Sequence, residues 1–285
     1  MKLLRYGPFG NERPAVIPTE QRDALDASSI TDDFDSEFFS NDGLVRLDNA
    51  VREGVLPKIS IDGQRIGSPI RRPGKIVCIG LNYRKHADES GMEIPKEPVI
   101  FMKAANTVVG PNDDVYIPRG SCKTDWEIEL AVLIGRVASY VDDPTAASKY
   151  IAGYAISNDV SEREFQLERG GQWDKGKSCA TFNPLGPWIV TADEVLFPQQ
   201  LDMRLDVNEQ CEQTGNTSDM IFTINYLVWY VSQFMVLEPG DIINTGTPAG
   251  VGLGKQPPRY LVSGDEMYLS IQGLGDQRSR AISTP

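Results

Sequence analysis

From residue 75 onward the chain is a succession of short apolar runs, 75–80, 98–102, 115–118 and 126–135, separated by glycine, proline and charged residues. Runs of that length are too short for core helices and right for strands, so they commit this part of the chain to a sheet-built core. Helical pattern is confined to three places: after Asp143-Pro144, over 161–168, and over 223–235, where Leu227, Val231, Phe234 and Met235 fall on or near one face. Two closing runs, 267–271 and 278–282, flank Gly273-Leu274-Gly275 and read as a hairpin. The fold class is α+β and predominantly β, without internal repeats.

The first 70 residues read differently. They open with a strand over 2–6, turn at Gly7-Pro8-Phe9-Gly10, and pass into an acidic stretch with Asp32, Asp33, Asp35 and Glu37. With 285 residues in all, the chain suits a small α+β N-terminal cap domain over 1–70 and one main domain over 71–285. A formal net charge of −12 argues against nucleic acid or an anionic membrane as partner, and an anionic substrate would need a local cation. No run approaches the roughly 20 apolar residues of a membrane span, and the N-terminus has no signal-peptide pattern, so a cytoplasmic protein is expected. Cys78, Cys122, Cys179 and Cys211 are widely spaced and read as reduced and mostly structural.

Chemistry concentrates around Asp125-Trp126-Glu127-Ile128-Glu129-Leu130. The strand period of two puts Glu127 and Glu129 on one face, where like charges repel unless solvent, a shared proton or a cation compensates. Taken alone, a solvated strand face is the commoner source of such a pair. Asp159, at the end of a strand-like run over 153–158, adds a third carboxylate. Without a His or Cys cluster, such a set favours a hard ion, Mg²⁺ or Mn²⁺. The single histidine, His86, lies three residues before Glu89, a spacing that brings both to one side of a helical turn, where the carboxylate orients the ring. By itself a lone histidine is more often a surface or packing residue than a catalyst.

Several of these features occur in a characteristic order. Gly80-Leu81-Asn82-Tyr83 with His86 and Glu89, then 98–103, 125–130, Asp159 and Thr245-Gly246-Thr247-Pro248 together resemble the fumarylacetoacetate hydrolase family, over about 75–282. The resemblance implies a mixed β-sandwich roll with a small N-terminal domain. It implies that Glu127, Glu129 and Asp159 bind Mg²⁺, and that His86 and Glu89 sit on a mobile segment and activate water. It further implies that Lys177 supplies positive charge to an oxyanion, and that Arg163, Gln166 and Thr247 contact substrate. One departure from the family wording is Ser178-Cys179-Ala180-Thr181, which lacks an aspartate often found before the threonine.

The expected reaction is metal-dependent cleavage of the C3–C4 bond of a small anionic 2,4-dioxo acid. The wording over 1–7, 161–177 and 250–254 is closest to the branch that converts 2,4-diketo-3-deoxy-L-rhamnonate to pyruvate and L-lactate. Oxaloacetate decarboxylase, ureidoglycolate lyase and 2-hydroxyhepta-2,4-diene-1,7-dioate isomerase remain open on the same scaffold. A binding protein without turnover would have lost the His–Glu pair or a ligand, and all are present. The resemblance also implies a homodimer or a pair of dimers.

Overall fold

The computed structural model describes residues 1–284 apart from 20, 22 and 92. Its strands form a 12-stranded mixed sheet, a five-stranded sheet and a two-stranded ladder. At the centre of the large sheet Ile128–Ile134 pairs antiparallel with both Ile151–Asn158 and Ile242–Asn244. Alternate side chains of this strand serve two cores. Ile128, Leu130, Val132 and Ile134 join Leu205, Met267 and Leu269 of the five-stranded sheet, so the two sheets pack face to face. Ala131 and Leu133 point to the opposite face and join Phe34, Phe38 and Leu47 from the N-terminal helices Ser36–Ser40 and Gly43–Glu53 and the segment before them. Burying each large aliphatic side chain contributes roughly 1.5–3 kcal/mol, so the central strand stabilises both layers at once.

Residues 1–70 extend the large sheet. Lys2–Tyr6 pairs with Asn183–Thr191 on one side and with Arg13–Ile17 on the other, and Ala24–Asp26 and Lys58–Ile59 continue to the edge. Beneath them Arg5, 5 % exposed, donates to Asp33 at 2.5 and 3.0 Å, to Glu12 at 3.3 Å and to the Ser68 carbonyl at 3.0 Å. Replacing Arg5 with Met leaves the buried Asp33 carboxylate only the Phe34 N–H at 2.8 Å and a long ion pair with Arg71 at 3.9 Å, and the expected cost is about 3–5 kcal/mol in a urea-denaturation series. A midpoint unchanged from wild type would show that Asp33 finds solvent or another donor.

The helix expected after Asp143-Pro144 is present, and two other helical expectations need correction. The segment after Asp143 is a 3₁₀ helix, Pro144–Tyr150, capped by the Asp143 carboxylate. Over 161–168 the chain first forms a strand, Ser161–Glu162, paired with Thr124–Asp125, and only then a π-helical turn, Glu164–Glu168. The strand pairing claims Ser161 and Glu162 before a helix can nucleate. The last α-helix, Ile224–Ser232, starts at the Thr223 cap and buries Leu227 and Val231. It stops before Phe234, which is 64 % exposed, because Gln233 turns its amide onto the carbonyls of Val141 and Trp229. Of the four free cysteines only Cys78 is buried, while Cys122 and Cys211 are exposed, so the structural role holds for Cys78 alone. Among the described residues no helix is long and apolar enough to cross a membrane.

Candidate active site

Glu127 and Glu129 keep the phase of Ala131 and Leu133, away from the inter-sheet core. Asp159 follows directly on Ile151–Asn158, whose last residue pairs with Ile128, and its N–H donates to the Glu127 carbonyl at 2.9 Å. The three carboxylates are buried, and one oxygen from each lies within 4.8 Å of the others.

Three cations close on this cluster. Lys177 ends the short helix Asp174–Lys177 and donates to Glu127 Oε2 and Asp159 Oδ2, both at 2.7 Å. Gly176 allows that approach, since a Cβ there would meet the Glu162 carbonyl at 2.4 Å. Lys103, the last residue of Val99–Lys103, donates to Asp159 Oδ1 at 2.5 Å and to the Val160 carbonyl at 3.0 Å. Arg163 donates through Nε to Asp125 Oδ2 at 2.8 Å and through Nη1 to Gln166 Oε1 at 3.0 Å. Its Nη2 stands 2.7 Å from Glu127 Oε1, an ion pair without the alignment of a hydrogen bond.

These contacts divide the acids. Burial pushes the Glu127 carboxyl up, but Lys177 and Arg163 outweigh it and bring its pKa down to about 2. For Glu129, burial and then the charges of Asp159 and Glu127 push the pKa well above the usual carboxylate range. Its hydrogen bond comes from the Gly246 N–H at 2.8 Å, and among the described residues no Lys or Arg forms an ion pair with it. A buried acid held beside two others without its own cation, in a set of hard oxygen donors, fits a hard divalent cation. Burial also works against the Lys177 ammonium, yet Asp159 and Glu127 outweigh it and hold its pKa above the ordinary lysine value.

The helix Arg84–Ser90 carries His86 and Glu89. Asn82, just before it, donates to the carbonyls of Thr245 and Phe222 at 2.8 and 3.1 Å, tying this segment to the Thr245–Thr247 loop. His86 Nδ1 lies 3.4 Å from Glu89 Oε2. Burial raises the Glu89 pKa, but hydrogen bonds from His86 and the Gly250 N–H win and lower it, so Glu89 is the acceptor and Nδ1 the donor. The Thr247 hydroxyl donates to the Ile128 carbonyl at 2.9 Å and accepts from Gln213 at 2.8 Å, so its proton is already engaged.

A cavity of about 420 Å³ gathers these groups. His86, Glu89, Glu127, Glu129, Arg163, Gln166, Lys177 and Thr247 line it, and Phe101, Trp173, Leu253 and other apolar side chains complete the wall. Asp159, fully buried, is not on the wall; it lies beneath, joined to the cavity through Lys177. Sequence reasoning gave no role to Lys103 or Asp125. A signal for Lys103 was present: it shares the strand phase of buried Phe101. Asp125 had none, because its partners come from distant segments.

The chain matches the model of the fumarylacetoacetate (FAA) hydrolase C-terminal family over residues 75–281. A Burkholderia multivorans protein that carries the provisional name of hydrolase is 51% identical over 278 residues, 97% of either chain. The fumarylacetoacetate hydrolase of Exiguobacterium antarcticum superimposes with a TM-score of 0.85 at 33% identity, over 100% of both chains. The maleylpyruvate hydrolase of Sphingobium sp. SYK-6, solved with manganese(II) and pyruvate, gives a TM-score of 0.81 at 28% identity, also over 100% of both chains. Agreement along the whole length, in sequence as well as in fold, makes this chain a member of the fumarylacetoacetate hydrolase family.

Proposed function

We propose that the cavity hydrolyses the C3–C4 bond of a 2,4-dioxo acid with Mg²⁺, or Mn²⁺, held by Glu127, Glu129 and Asp159. The substrate proposed is 2,4-diketo-3-deoxy-L-rhamnonate, giving pyruvate and L-lactate. The observation that carries this reading is that one cavity is lined by Glu127 and Glu129 of the carboxylate cluster, with Asp159 directly behind them, and by the His86–Glu89 pair. The manganese(II) and pyruvate bound to the structurally similar maleylpyruvate hydrolase support it.

A divalent cation at the cluster would supply Lewis-acid chemistry toward the 2-oxo acid end. With Glu129 ionised, Asp125, Glu127, Glu129, Asp159 and Glu89 stand against Lys103, Lys177 and Arg163, two negative charges in excess, which a divalent ion would neutralise so that an anionic substrate is not repelled.

With Nδ1–H directed to Glu89, Nε2 is the basic nitrogen of His86 and takes a proton from water as the oxygen adds to C4. Lys177 and the Gln166 amide, whose Oε1 is held by Arg163, are the donors for the resulting oxyanion. Collapse breaks C3–C4 and leaves its electron pair on the C3 fragment. The His86 proton then goes to C3, giving pyruvate, while the acyl fragment leaves as a carboxylic acid and ionises. The apolar wall excludes other water from the departing carbanion. The proposal includes a homodimer or pair of dimers in the cytoplasm, and a cap domain over 1–70.

The test is pyruvate release from 2,4-diketo-3-deoxy-L-rhamnonate with Mg²⁺ and with chelator, beside oxaloacetate, acylpyruvates, ureidoglycolate and the dienedioate. Fast, chelator-sensitive release from the sugar-derived acid is expected. A preference for oxaloacetate would move the assignment to a decarboxylase.

A further inference from the structure

Asp125 is fully buried and lies two residues from Glu127, and its contacts reach the loop over 250–254. Its Oδ1 accepts from the N–H groups of Trp126 at 2.9 Å and Gly252 at 2.7 Å. Its Oδ2 accepts from Leu253 N–H at 3.0 Å and from Arg163 Nε at 2.8 Å. Gly252 is needed for this fit, since a Cβ there would come within 2.7 Å of Asp125 Oδ1 and 1.9 Å of the Arg259 carbonyl. Two residues earlier in the same loop, the Gly250 N–H donates to both oxygens of Glu89, at 3.1 and 3.0 Å. Gly254 packs on the same carboxylate, where a Cβ would meet Glu89 Cδ at 2.5 Å. The loop over 250–254 therefore seats Glu89 through Gly250 and Gly254 and is held by Asp125 between them, at Gly252 and Leu253. Asp125 in turn holds Arg163, whose Nη2 is paired with Glu127.

We propose that Asp125 is a positioning residue that couples the carboxylate cluster to the seating of the helix bearing His86 and Glu89. The inference rests on the reading of Glu127 as a metal ligand given above. A cation at the cluster competes with Arg163 for Glu127; any adjustment of Arg163 is felt at Asp125, then at the backbone of 250–254, then at Glu89. The links from Glu127 through Arg163 and Asp125 to the Gly252 N–H join buried groups with few alternative partners, and the last, from the Gly250 N–H to Glu89, lies at the surface. The device would order the general base when the cluster is loaded.

The experiment is hydrogen–deuterium exchange of the full-length protein with and without Mn²⁺, on wild type, Asp125→Asn and Arg163→Lys. Asparagine keeps one acceptor oxygen but turns an NH₂ toward Leu253 N–H and Arg163 Nε, so two of the four bonds are lost without a change of shape. Lysine at 163 keeps the charge but does not span Asp125, Gln166 and Glu127 together. In wild type, Mn²⁺ is expected to slow exchange over 84–91 by about fivefold or more, the lower end of typical coupling between linked sites. Both variants should bind Mn²⁺ and lose that protection. In turnover Asp125→Asn should lose kcat while inhibition by pyruvate stays near the wild-type value, a split that general loosening of the fold does not produce.

Mn²⁺ protection of 84–91 that persists in the variants, or its absence in manganese-loaded wild type, overturns the coupling. If Asp125→Asn does not fold, Arg163→Lys decides the same question. If wild type does not bind Mn²⁺, the functional reading fails, and metal-free exchange then decides the latch by itself: faster exchange over 84–91 in Asp125→Asn supports it, and equal rates refute it.

Discussion

His86→Ala is expected to lower kcat by about 10²–10⁴-fold, the range for loss of a positioned general base. The same variant should bind Mn²⁺ and pyruvate with nearly unchanged affinity, because the carboxylate cluster is built on the sheet and His86 on a separate helix. The imidazole's orientation depends on Glu89, so Glu89→Gln should lose part of the same rate: a neutral amide still contacts Nδ1 but no longer stabilises the imidazolium. Steady-state kinetics on the sugar-derived acid, with manganese binding measured in parallel, checks both halves. Turnover that survives in His86→Ala would remove water activation from the mechanism and favour a reaction in which the metal alone accepts the electrons, as in decarboxylation.

Lys177→Met should be more damaging, since in the proposed reaction this lysine serves stability and chemistry together. Its ammonium bridges two buried acids at 2.7 Å each, and removing one partner of a buried ionic cluster costs about 3–5 kcal/mol. Loss of an oxyanion donor costs about 10²–10³-fold in kcat. The pH dependence has a definite sign. Glu127 is held at about 2, below the ordinary 4.5, with burial opposing the shift and Lys177 the foremost cause that overcomes it. The folded wild type therefore binds fewer protons than the unfolded chain between those values. The resulting stabilisation is full above pH 4.5 and is lost as pH falls toward 2. In Lys177→Met the largest pull on Glu127 is gone, so this acid-side loss should shrink while stability at neutral pH drops. Mn²⁺ should recover part of the neutral-pH loss by supplying the missing positive charge. Urea denaturation at about pH 3 and about pH 7, on either side of the ordinary carboxylate range, with and without Mn²⁺, tests this; an equal loss at both pH values would show that Lys177 acts by packing rather than by charge.

The local features that survive from sequence to structure are those set by period and by adjacent residues. Glu127 and Glu129 meet as a period of two anticipates, although Glu127 lies in the break between Thr124–Asp125 and Ile128–Ile134, and the i, i+3 spacing of His86 and Glu89 became contact once Arg84–Ser90 formed a helix. The closing hairpin lies where Gly273-Leu274-Gly275 placed it, with Ile271 paired to Gly275. The segment 161–168 failed for the opposite reason. Its helical pattern competed with a ladder to Thr124–Asp125, a partner distant in sequence that no local pattern announces. Phe234 failed similarly, because the end of its helix is decided by Gln233 reaching Val141.

The sequence by itself determined the β-rich class, the order of the motifs and the chemical character of the site: hard oxygen donors, one imidazole and a few cations. Those are properties of residue type and short spacing. Only the tertiary structure decided which charges meet. It brought Lys103 and Lys177 onto Asp159, left Glu129 without a cation of its own, and ran Asp125 from the carboxylate cluster to the loop beneath Glu89. The electrostatic energy of a buried group depends on distance and desolvation, and both are set by segments that sequence order keeps far apart.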